Sequence, residues 1–424
     1  MNIANKTIFT GDNLPILRGI NSECIDLIYL DPPFNSNANY AAPIGSQAAG
    51  AEFKDTWSLS DLDVAWLDLI ETKYSAVNRV IQAAMTDSDK SYLVYMATRL
   101  LEMHRILKTN GSIYLHCDPT MSHYLKLLLD AIFGRKNFQN EIVWSHQGTW
   151  IQPNTKYPRR HDTLFFYTKT DDYTFNLLYE DDAKEQVNYK RWRKYLVDNT
   201  IYGRNMPTQD TRFHTYLNKF REEHGREPND DDPVLVITGS RIGTVQYIKA
   251  IDPKSDEWTG YPTQKPLALL DRIIKTSTNK GGIVFDPFCG CATACVAADR
   301  LLRNWVGIDI APKAVELVVE RIKKDQGLFQ DINHRTDIPH RSDLGRIPPY
   351  NTPANKTKLY GEQSGNCNGC NTHFETQHLE IDHIIAKSVG GTDHIGNLQL
   401  LCGNCNRIKG NRGQEYLIAK LAER

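Results

Sequence analysis

The chain has 424 residues, 40% of them hydrophobic and 24% charged, with a formal net charge of −1, a balance that suits two or three globular domains with at least one sizeable core. No apolar run reaches the roughly 18 residues a membrane span needs, and the first residues, Met1 to Lys6, lack the apolar core of a signal peptide. A reducing, cytoplasmic compartment is therefore expected, the nine cysteines are not read as a disulfide set, and any nucleic-acid surface must be a local basic patch, not a global charge.

Thr7-Ile8-Phe9 predicts a short strand, Gly11-Asp12 a turn, and the residues after it a helix. Ile25 to Leu30 predicts a buried parallel strand that ends in Asp31-Pro32-Pro33-Phe34. Proline has no N–H, so this strand end offers a carboxylate and free backbone carbonyls beside an aromatic ring. Such a group suits a planar substrate bearing an amino group: the ring stacks on the plane and the acceptors take the amino hydrogens. A strand-end turn with a capping acid would use the same four residues. Residues 35–60, small and polar, predict a mobile loop, either a lid that closes on substrate or a plain surface connection. Tyr92, Met96, Leu100, Met103 and Leu107 repeat at helical spacing. Strands are predicted at Gly111–His116, Glu141–Trp144 and Asp162–Tyr167, with a helix over Leu125–Phe133. This alternation indicates an α/β fold with a mostly parallel sheet.

Residues 170–260 lose that rhythm. Aromatics alternate with basic clusters, Lys190-Arg191-Trp192-Arg193-Lys194 and, upstream, Lys156 to Arg160, a texture that suits contact with DNA. Nearby acids (Glu180 to Asp182, Asp230 to Asp232) nearly balance them, so an ordinary solvated face is the competing reading. The α/β pattern resumes at Gly282-Ile283-Val284-Phe285, continues through Asp286-Pro287-Phe288-Cys289-Gly290-Cys291-Ala292-Thr293 into a helix, and reaches a strand ending at Asp309. A strand, a turn of small residues, a helix and an acid about 20 residues on is the plan of a nucleoside-cofactor site. The glycine pattern is not the dinucleotide fingerprint, so a ribose ligand without pyrophosphate, such as S-adenosylmethionine, fits better. Residues 326–361, rich in proline and polar residues, predict a linker.

The order of these motifs, with Tyr261-Pro262-Thr263-Gln264-Lys265-Pro266 before Asp286-Pro287-Phe288, resembles the permuted, beta-class DNA amino-methyltransferases over residues 1–325. The resemblance implies a methyltransferase fold that uses S-adenosylmethionine, with a target-recognition insert over 170–258. It implies that Asp31, Pro32 and Pro33 accept the amino group of a base flipped out of double-stranded DNA and that Phe34 stacks on it. Phe285, Asp286, Phe288 and Gly290 would line the methionine end of the cofactor, Lys265 would reach its carboxylate, Asp309 the ribose and Asp12 the adenine side. The family's turn has a further glycine where this chain has Ala292. An acid at the head of the motif is more typical of adenine N6 than of cytosine N4 methylation. No covalent enzyme adduct is needed, so no cysteine is required as a nucleophile.

Cys367-Asn368-Gly369-Cys370 and Cys402-Gly403-Asn404-Cys405 are two Cys-x-x-Cys knuckles, a strong signal for structural zinc. Thiolate coordination would staple a segment too small to stand on its core alone. With Leu379 to Ile385, Asn397 to Leu401 and Asn406 to Gly410, residues 362–424 resemble the HNH, or ββα-metal, nucleases. The resemblance implies His383 as general base, Asp382 and Asn406 as ligands of Mg²⁺ or Mn²⁺, and Asn397 as the holder of the loop that carries His383. The family's third signature residue is usually His, and here it is Asn406; His-Asn-Asn variants occur among related nucleases.

Together these features predict a sequence-specific DNA methyltransferase fused to an HNH endonuclease, a single-chain restriction–modification enzyme. A methyltransferase with a zinc-stapled DNA-binding tail that does not cut, cytosine N4 methylation, and an RNA or protein-amide substrate stay open. The expected partner is double-stranded DNA, with no membrane. A homodimer is admitted as an assembly that the sequence does not determine.

Overall fold

The computed structural model describes residues 2–36, 38–43, 46–49, 52–55, 70, 73–146, 154–326, 331–345 and 347–422. The chain divides into two compact units, Met1–Phe175 with Tyr247–Arg424, and Asn176–Gln246.

The first unit begins with β1 (Thr7–Thr10), α1 (Asn13–Gly19) and β2 (Ile25–Leu30). Along β2 the side chains alternate between two cores: Ile28 and Leu30 join one apolar cluster, Leu27 and Tyr29 the other. A strand covered on both faces explains the unbroken apolar run. Its one acid, Asp26, is satisfied by the Lys108 ammonium and the Ile283 N–H. β3 (Ala38–Ala41) and β4 (Glu52–Asp55) pair antiparallel within the stretch expected as a loop, lid or plain connection, of which residues 37, 44, 45, 50, 51 and 56–60 lie outside the described residues. Next come α2 (Ser75–Gln82), α3 (Asp87–Ile106), β5 (Leu107–Cys117), α4 (Ser122–Phe133), β6 (Phe138–Ser145) and β7 (His161–Thr168).

The second unit holds α5 (Val187–Trp192), β8 (Thr200–Tyr202), α6 (His214–His224) and β9 (Pro233–Val236). It has its own apolar centre in Trp192, Ile201 and Phe213. The Trp192 indole N–H is held by Asp210, which also takes the Arg212 guanidinium. The residues without α/β rhythm thus fold as a small body inside the range expected for the insert.

After β10 (Val245–Tyr247) the first unit resumes with α7 (Leu267–Ser277), β11 (Ile283–Asp286), α8 (Thr293–Arg300), β12 (Asn304–Asp309), α9 (Pro312–Gln326) and β13 (Asn333–Arg335). In the sheet of this unit the order runs β6-β7-β5-β2-β11-β12-β1-β13. Neighbours from β5 to β13 are parallel, while β7 is antiparallel to both β5 and β6.

The segment expected as a linker is built into the structure. β13 extends the sheet beside β1. Ser342 exchanges two hydrogen bonds with the Asn21 side chain, and Asp343 accepts from the Ser22 N–H. Asn2 donates to the carbonyls of Gly19 and His340. α10 (Pro353–Glu362), capped by Thr352, gives Leu359 to the core of the tail. These residues lack apolar periodicity because polar side chains make most of their contacts.

The tail itself is β14 (Leu379–His383) antiparallel to β15 (Leu398–Cys402), then α11 (Gly403–Lys409) and α12 (Gln414–Ala422). Among the described residues no helix is long and apolar enough to cross a membrane.

Candidate functional site

The adjacent strands β2, β11, β12 and β1 end on the same side of the sheet. Each delivers an aspartate at or just beyond its carboxyl end: Asp31, Asp286, Asp309 and Asp12. Ligands of open α/β sheets bind at this edge. A cavity of about 290 Å³ lies there, lined by these four acids, by Pro32, Pro33, Phe34, Lys265, Phe288 and Gly290, and by residues that sequence reasoning missed, among them Tyr29, Asp55 and Arg99. Phe285 is not part of it. It precedes Asp286 by one position, so strand alternation turns its side chain into the apolar core instead.

Asp286 is 3% exposed, and burial pushes its carboxyl well above the usual range, with Asp31 and Asp309 adding to the effect and the Phe288 N–H opposing it. Burial likewise raises Asp309, although its two oxygens accept the N–H groups of Gly290 (2.7 Å) and Ala311 (2.8 Å). Asp12 caps α1 through the Leu14 N–H and takes the Arg99 guanidinium at 2.8 Å, while Arg99 stacks on Tyr95. Gly290 has φ +50°, and a Cβ there would lie 2.9 Å from the Tyr261 ring, so backbone angle and space both require glycine. Ala292 takes the left-handed conformation itself, at φ 54°, a cost of about 1–2 kcal/mol for a non-glycine residue. Burial pushes the thiols of Cys289 and Cys295 far up, as befits packing and not nucleophilic roles.

Lys265 does not stand free at the far end of the cavity. Its ammonium lies 2.5 Å from Asp31 Oδ2 and 3.2 Å from the Thr263 carbonyl. A buried ammonium requires a partner of opposite charge, and Asp31 is the acid within reach. The other oxygen, Asp31 Oδ1, is buried and has no hydrogen-bond partner. Such an acceptor, beside two proline residues, has capacity for a donor from outside the chain. Phe34 stands near-parallel to the His116 imidazole, with centroids 6.0 Å apart, and the Lys265 ammonium lies 5.3 Å from the Phe34 centroid. Behind it runs a buried chain: Tyr29 Oη to His116 Nδ1 at 3.1 Å, and His116 Nε2 to Asp162 Oδ2 at 3.2 Å. Burial alone would raise Asp162, but the His116 hydrogen bond and the neighbouring positive groups pull its carboxyl down to about 2. His116 and Asp162 lie in runs that read as plain strands, so nothing in the residue pattern announces their pairing across β5 and β7.

In the tail, one ligand atom from each of Cys367, Cys370, Cys402 and Cys405 lies within 4.8 Å of the others. Tetrahedral zinc with Zn–S bonds near 2.3 Å spaces its sulfurs about 3.8 Å apart, so this set fits zinc with a small contraction. Burial pushes the Cys367 thiol up, and the backbone N–H groups of Gly369 and Cys402 that point at its sulfur oppose that push. Asn397 donates to the carbonyls of Ile385 and Thr392 and accepts from the Ile385 N–H, tying down the loop that follows His383. His383 Nε2 lies 2.8 Å from Asp393 Oδ1, with the Tyr350 ring packed at 4.6 Å. Asp382 and Asn406 are not joined directly. Asp382 Oδ2 takes the buried Lys409 ammonium at 2.9 Å and the Gln399 amide, and Asn406 donates to Glu380. Glu380 and Asp382 are two residues apart on β14 and so share one face, with α11 against it.

The DNA methylase family profile matches residues 25–320 and the HNH endonuclease profile residues 367–412. The DNA adenine methyltransferase YhdJ of Escherichia coli (strain K12) is 26% identical over 321 residues, 75% of this chain and 82% of that protein. The type II methyltransferase M.HpaI of Haemophilus parainfluenzae is 26% identical over 335 residues, 78% of each chain. A DNA modification methylase of Thermus thermophilus, solved with S-adenosyl-L-methionine, aligns with 80% of this chain and 100% of its own at 14% identity and a TM-score of 0.42.

Proposed function

The chain belongs to the N6/N4 DNA methylase family and carries an HNH domain over residues 367–412; from that premise we propose that it methylates adenine N6 in double-stranded DNA and that its tail cuts DNA. The observation that carries the methylation reading is Asp31 Oδ1, buried without a partner at the mouth of the cavity. The adenine amino nitrogen is a poor nucleophile because its lone pair is delocalised into the ring. Asp31 and the Pro32 carbonyl accept its hydrogens, which favours a tetrahedral nitrogen and leaves Asp31 placed to take the proton released. Lys265 against Oδ2 fixes the orientation of the carboxyl group and leaves Oδ1 as the open acceptor. Phe34 supplies the stacking face. The chain's own contribution is alignment and electrostatics.

S-adenosylmethionine, when bound, supplies a methyl group on a cationic sulfonium. The residues fit it: Asp12, Asp31, Asp286 and Asp309 offer acceptors for hydroxyl and amino groups, and Phe34, Tyr261 and Phe288 offer aromatic faces around one cavity. By the family's pattern Asp309 would hold the ribose, Asp12 would lie on the adenine side, and Asp286, Phe288 and Gly290 would line the methionine end; Lys265, with two of its three donors on Asp31 and the Thr263 carbonyl, would offer the third to the cofactor's carboxylate. The relative from E. coli is named an adenine methyltransferase, which favours N6 over N4.

For the tail, His383 oriented by Asp393 is the base toward water. Glu380, Asp382 and Asn406 offer the hard oxygen donors that Mg²⁺ or Mn²⁺ takes. The Lys409–Asp382 ion pair favours a second reading, a zinc-stapled DNA-binding tail that does not cut. The unit Asn176–Gln246 is the reader of sequence for both activities, which makes the chain a single-chain restriction–modification enzyme.

The test uses unmethylated plasmid DNA in two separate samples, one given labelled S-adenosylmethionine and the other given Mg²⁺ or Mn²⁺ with no S-adenosylmethionine. Labelled N6-methyladenine is expected, lost in Asp31→Ala; N4-methylcytosine would overturn the base assignment. Cuts are expected, lost in His383→Ala with methylation intact. No cuts with either metal would establish the non-cleaving tail.

A further inference from the structure

Asp55 belongs to none of the motifs above, yet its carboxylate organises the residues just beyond Asp31. It is 1% exposed, at the end of β4, and lines the cavity. Oδ1 accepts the Asn35 N–H at 2.7 Å; Oδ2 accepts the Phe34 N–H at 3.1 Å, the Ser36 N–H at 2.8 Å and the Ser36 hydroxyl at 2.5 Å. Three consecutive backbone N–H groups closing on one carboxylate form an anion nest. The middle residue of the nest, Asn35, sits in the left-handed region at φ 57°, which asparagine enters more readily than other non-glycine residues. Its side chain is held as well: Nδ2 donates to Asp89 at 2.9 Å, and Oδ1 accepts from the Ser88 hydroxyl at 2.9 Å, both in the first turn of α3.

The structure assigns to Asp55 the role of a positioning residue for methyl transfer: its charge fixes the backbone of Phe34 to Ser36, and so sets the Phe34 ring against the target base. This rests on the methyltransferase reading above. Asp55 does not reach the reacting atoms in this reading, because its oxygens are taken by the nest. Bonds from N–H groups to a carboxylate are stronger than those to a neutral acceptor. An amide in its place would also turn an NH₂ toward N–H donors. The nest ties the end of β4 to the residues that precede β3, so the charge on Asp55 fixes that hairpin beside the cavity wall.

The experiment uses the full chain and compares Asp55→Asn, Asp55→Glu and Ser36→Ala with the parent. Steady-state methylation of plasmid DNA is expected to show kcat about a hundredfold lower in Asp55→Asn, with calorimetric S-adenosylmethionine affinity within threefold. Asp55→Glu keeps the charge and is expected to retain more kcat than Asp55→Asn. Ser36→Ala removes one side-chain bond to the Asp55 carboxylate and is expected to lose three- to tenfold in kcat; it decides the matter if Asp55→Asn does not fold. Amide hydrogen exchange at residues 34–36, read without substrate, is expected to quicken at least tenfold in Asp55→Asn. A kcat within threefold of the parent in both Asp55→Asn and Ser36→Ala overturns the assignment, as does unchanged exchange at 34–36. Loss of kcat only in step with cofactor affinity and global melting overturns it too, by leaving Asp55 a folding role. A parent chain that transfers no methyl group fails the underlying reading, and the exchange data still decide whether Asp55 holds the loop.

Discussion

Lys409→Met tests what holds the nuclease-like tail together. Lys409 has a side chain 1% exposed, and its ammonium bonds Asp382 Oδ2 at 2.9 Å and the His383 carbonyl at 2.7 Å. At an effective dielectric of 20, a pair at that distance attracts by about 6 kcal/mol before desolvation is subtracted. Removing one partner leaves Asp382, 14% exposed, as an uncompensated carboxylate, a loss of about 3–5 kcal/mol. At 1.36 kcal/mol per decade, that is roughly a thousandfold in the tail's opening equilibrium. Hydrogen exchange at the β14 and β15 amides should quicken by that factor, while β2 and β5 keep their protection. Adding Asp382→Asn removes the stranded charge and should recover about 1–3 kcal/mol, a coupling that a double-mutant cycle reads directly. Less than a tenfold change in β14 and β15, or equal loss in β2 and β5, would show that the pair does not carry the tail.

The remaining expectations concern the metal, the buried relay and the strap. Stripping zinc with a chelator should release about one ion per chain and open β14, β15 and α11, since zinc binding worth about 10–16 kcal/mol rivals the whole stability of a small domain; protected β14 amides in the metal-free chain would refute the staple. Asp162, with its carboxyl held down at about 2, contributes stability that is present above the ordinary carboxylate range near 3.9 and lost as pH falls through about 2. Melting curves of the parent and Asp162→Asn should therefore differ most above about pH 4 and converge toward pH 2, and a constant gap across that window would contradict the His116–Asp162 pairing. Asn21→Ala removes both bonds to Ser342 and should speed exchange at the Ser342 amide about tenfold, the worth of about 1 kcal/mol per bond in part; an unaffected amide would mean that Asn21 does not hold this segment.

Local pattern told most where one physical rule acts alone. The apolar runs that end in Asp31, Asp286 and Asp309 are strands because a doubly covered sheet demands such runs, and the four cysteines converge because their spacing is that of a metal knuckle. Long-range pairings were illegible for the same reason. Asp55 bonds a loop 20 residues before it, and His116 bonds Asp162 across two strands. Neither side chain breaks a periodicity, so neither can be told from a surface acid or a strand residue. Lys265 was legible as a cavity residue, but its partner was not, since only the folded chain shows Asp31 as the nearest acid. Phe285 illustrates the reverse error: membership in a motif suggested a ligand contact that strand alternation forbids.

The polar stretch after α9 shows why composition misleads about linkers. A tether is under no constraint to bond to anything, whereas residues 333–343 use backbone pairing with β1 and side-chain bonds to Asn2, Asn21 and Ser22. Those bonds lead back to α1. A Cβ on Gly19, at its end, would lie 1.9 Å from the Pro339 carbonyl oxygen of the strap, and one on Gly390 of the tail would lie 2.9 Å from the Pro15 carbonyl oxygen of the helix. Both glycines are where backbones meet too closely for a side chain. The opposite end of α1 is capped by Asp12, which lines the cavity. One helix of seven residues therefore serves as cavity wall, as anchor of the strap and as seat of the tail. Sheet and tail fall in one compact unit, Met1–Phe175 with Tyr247–Arg424, and a substitution that displaces α1 is expected to act on the cavity wall and on the tail together.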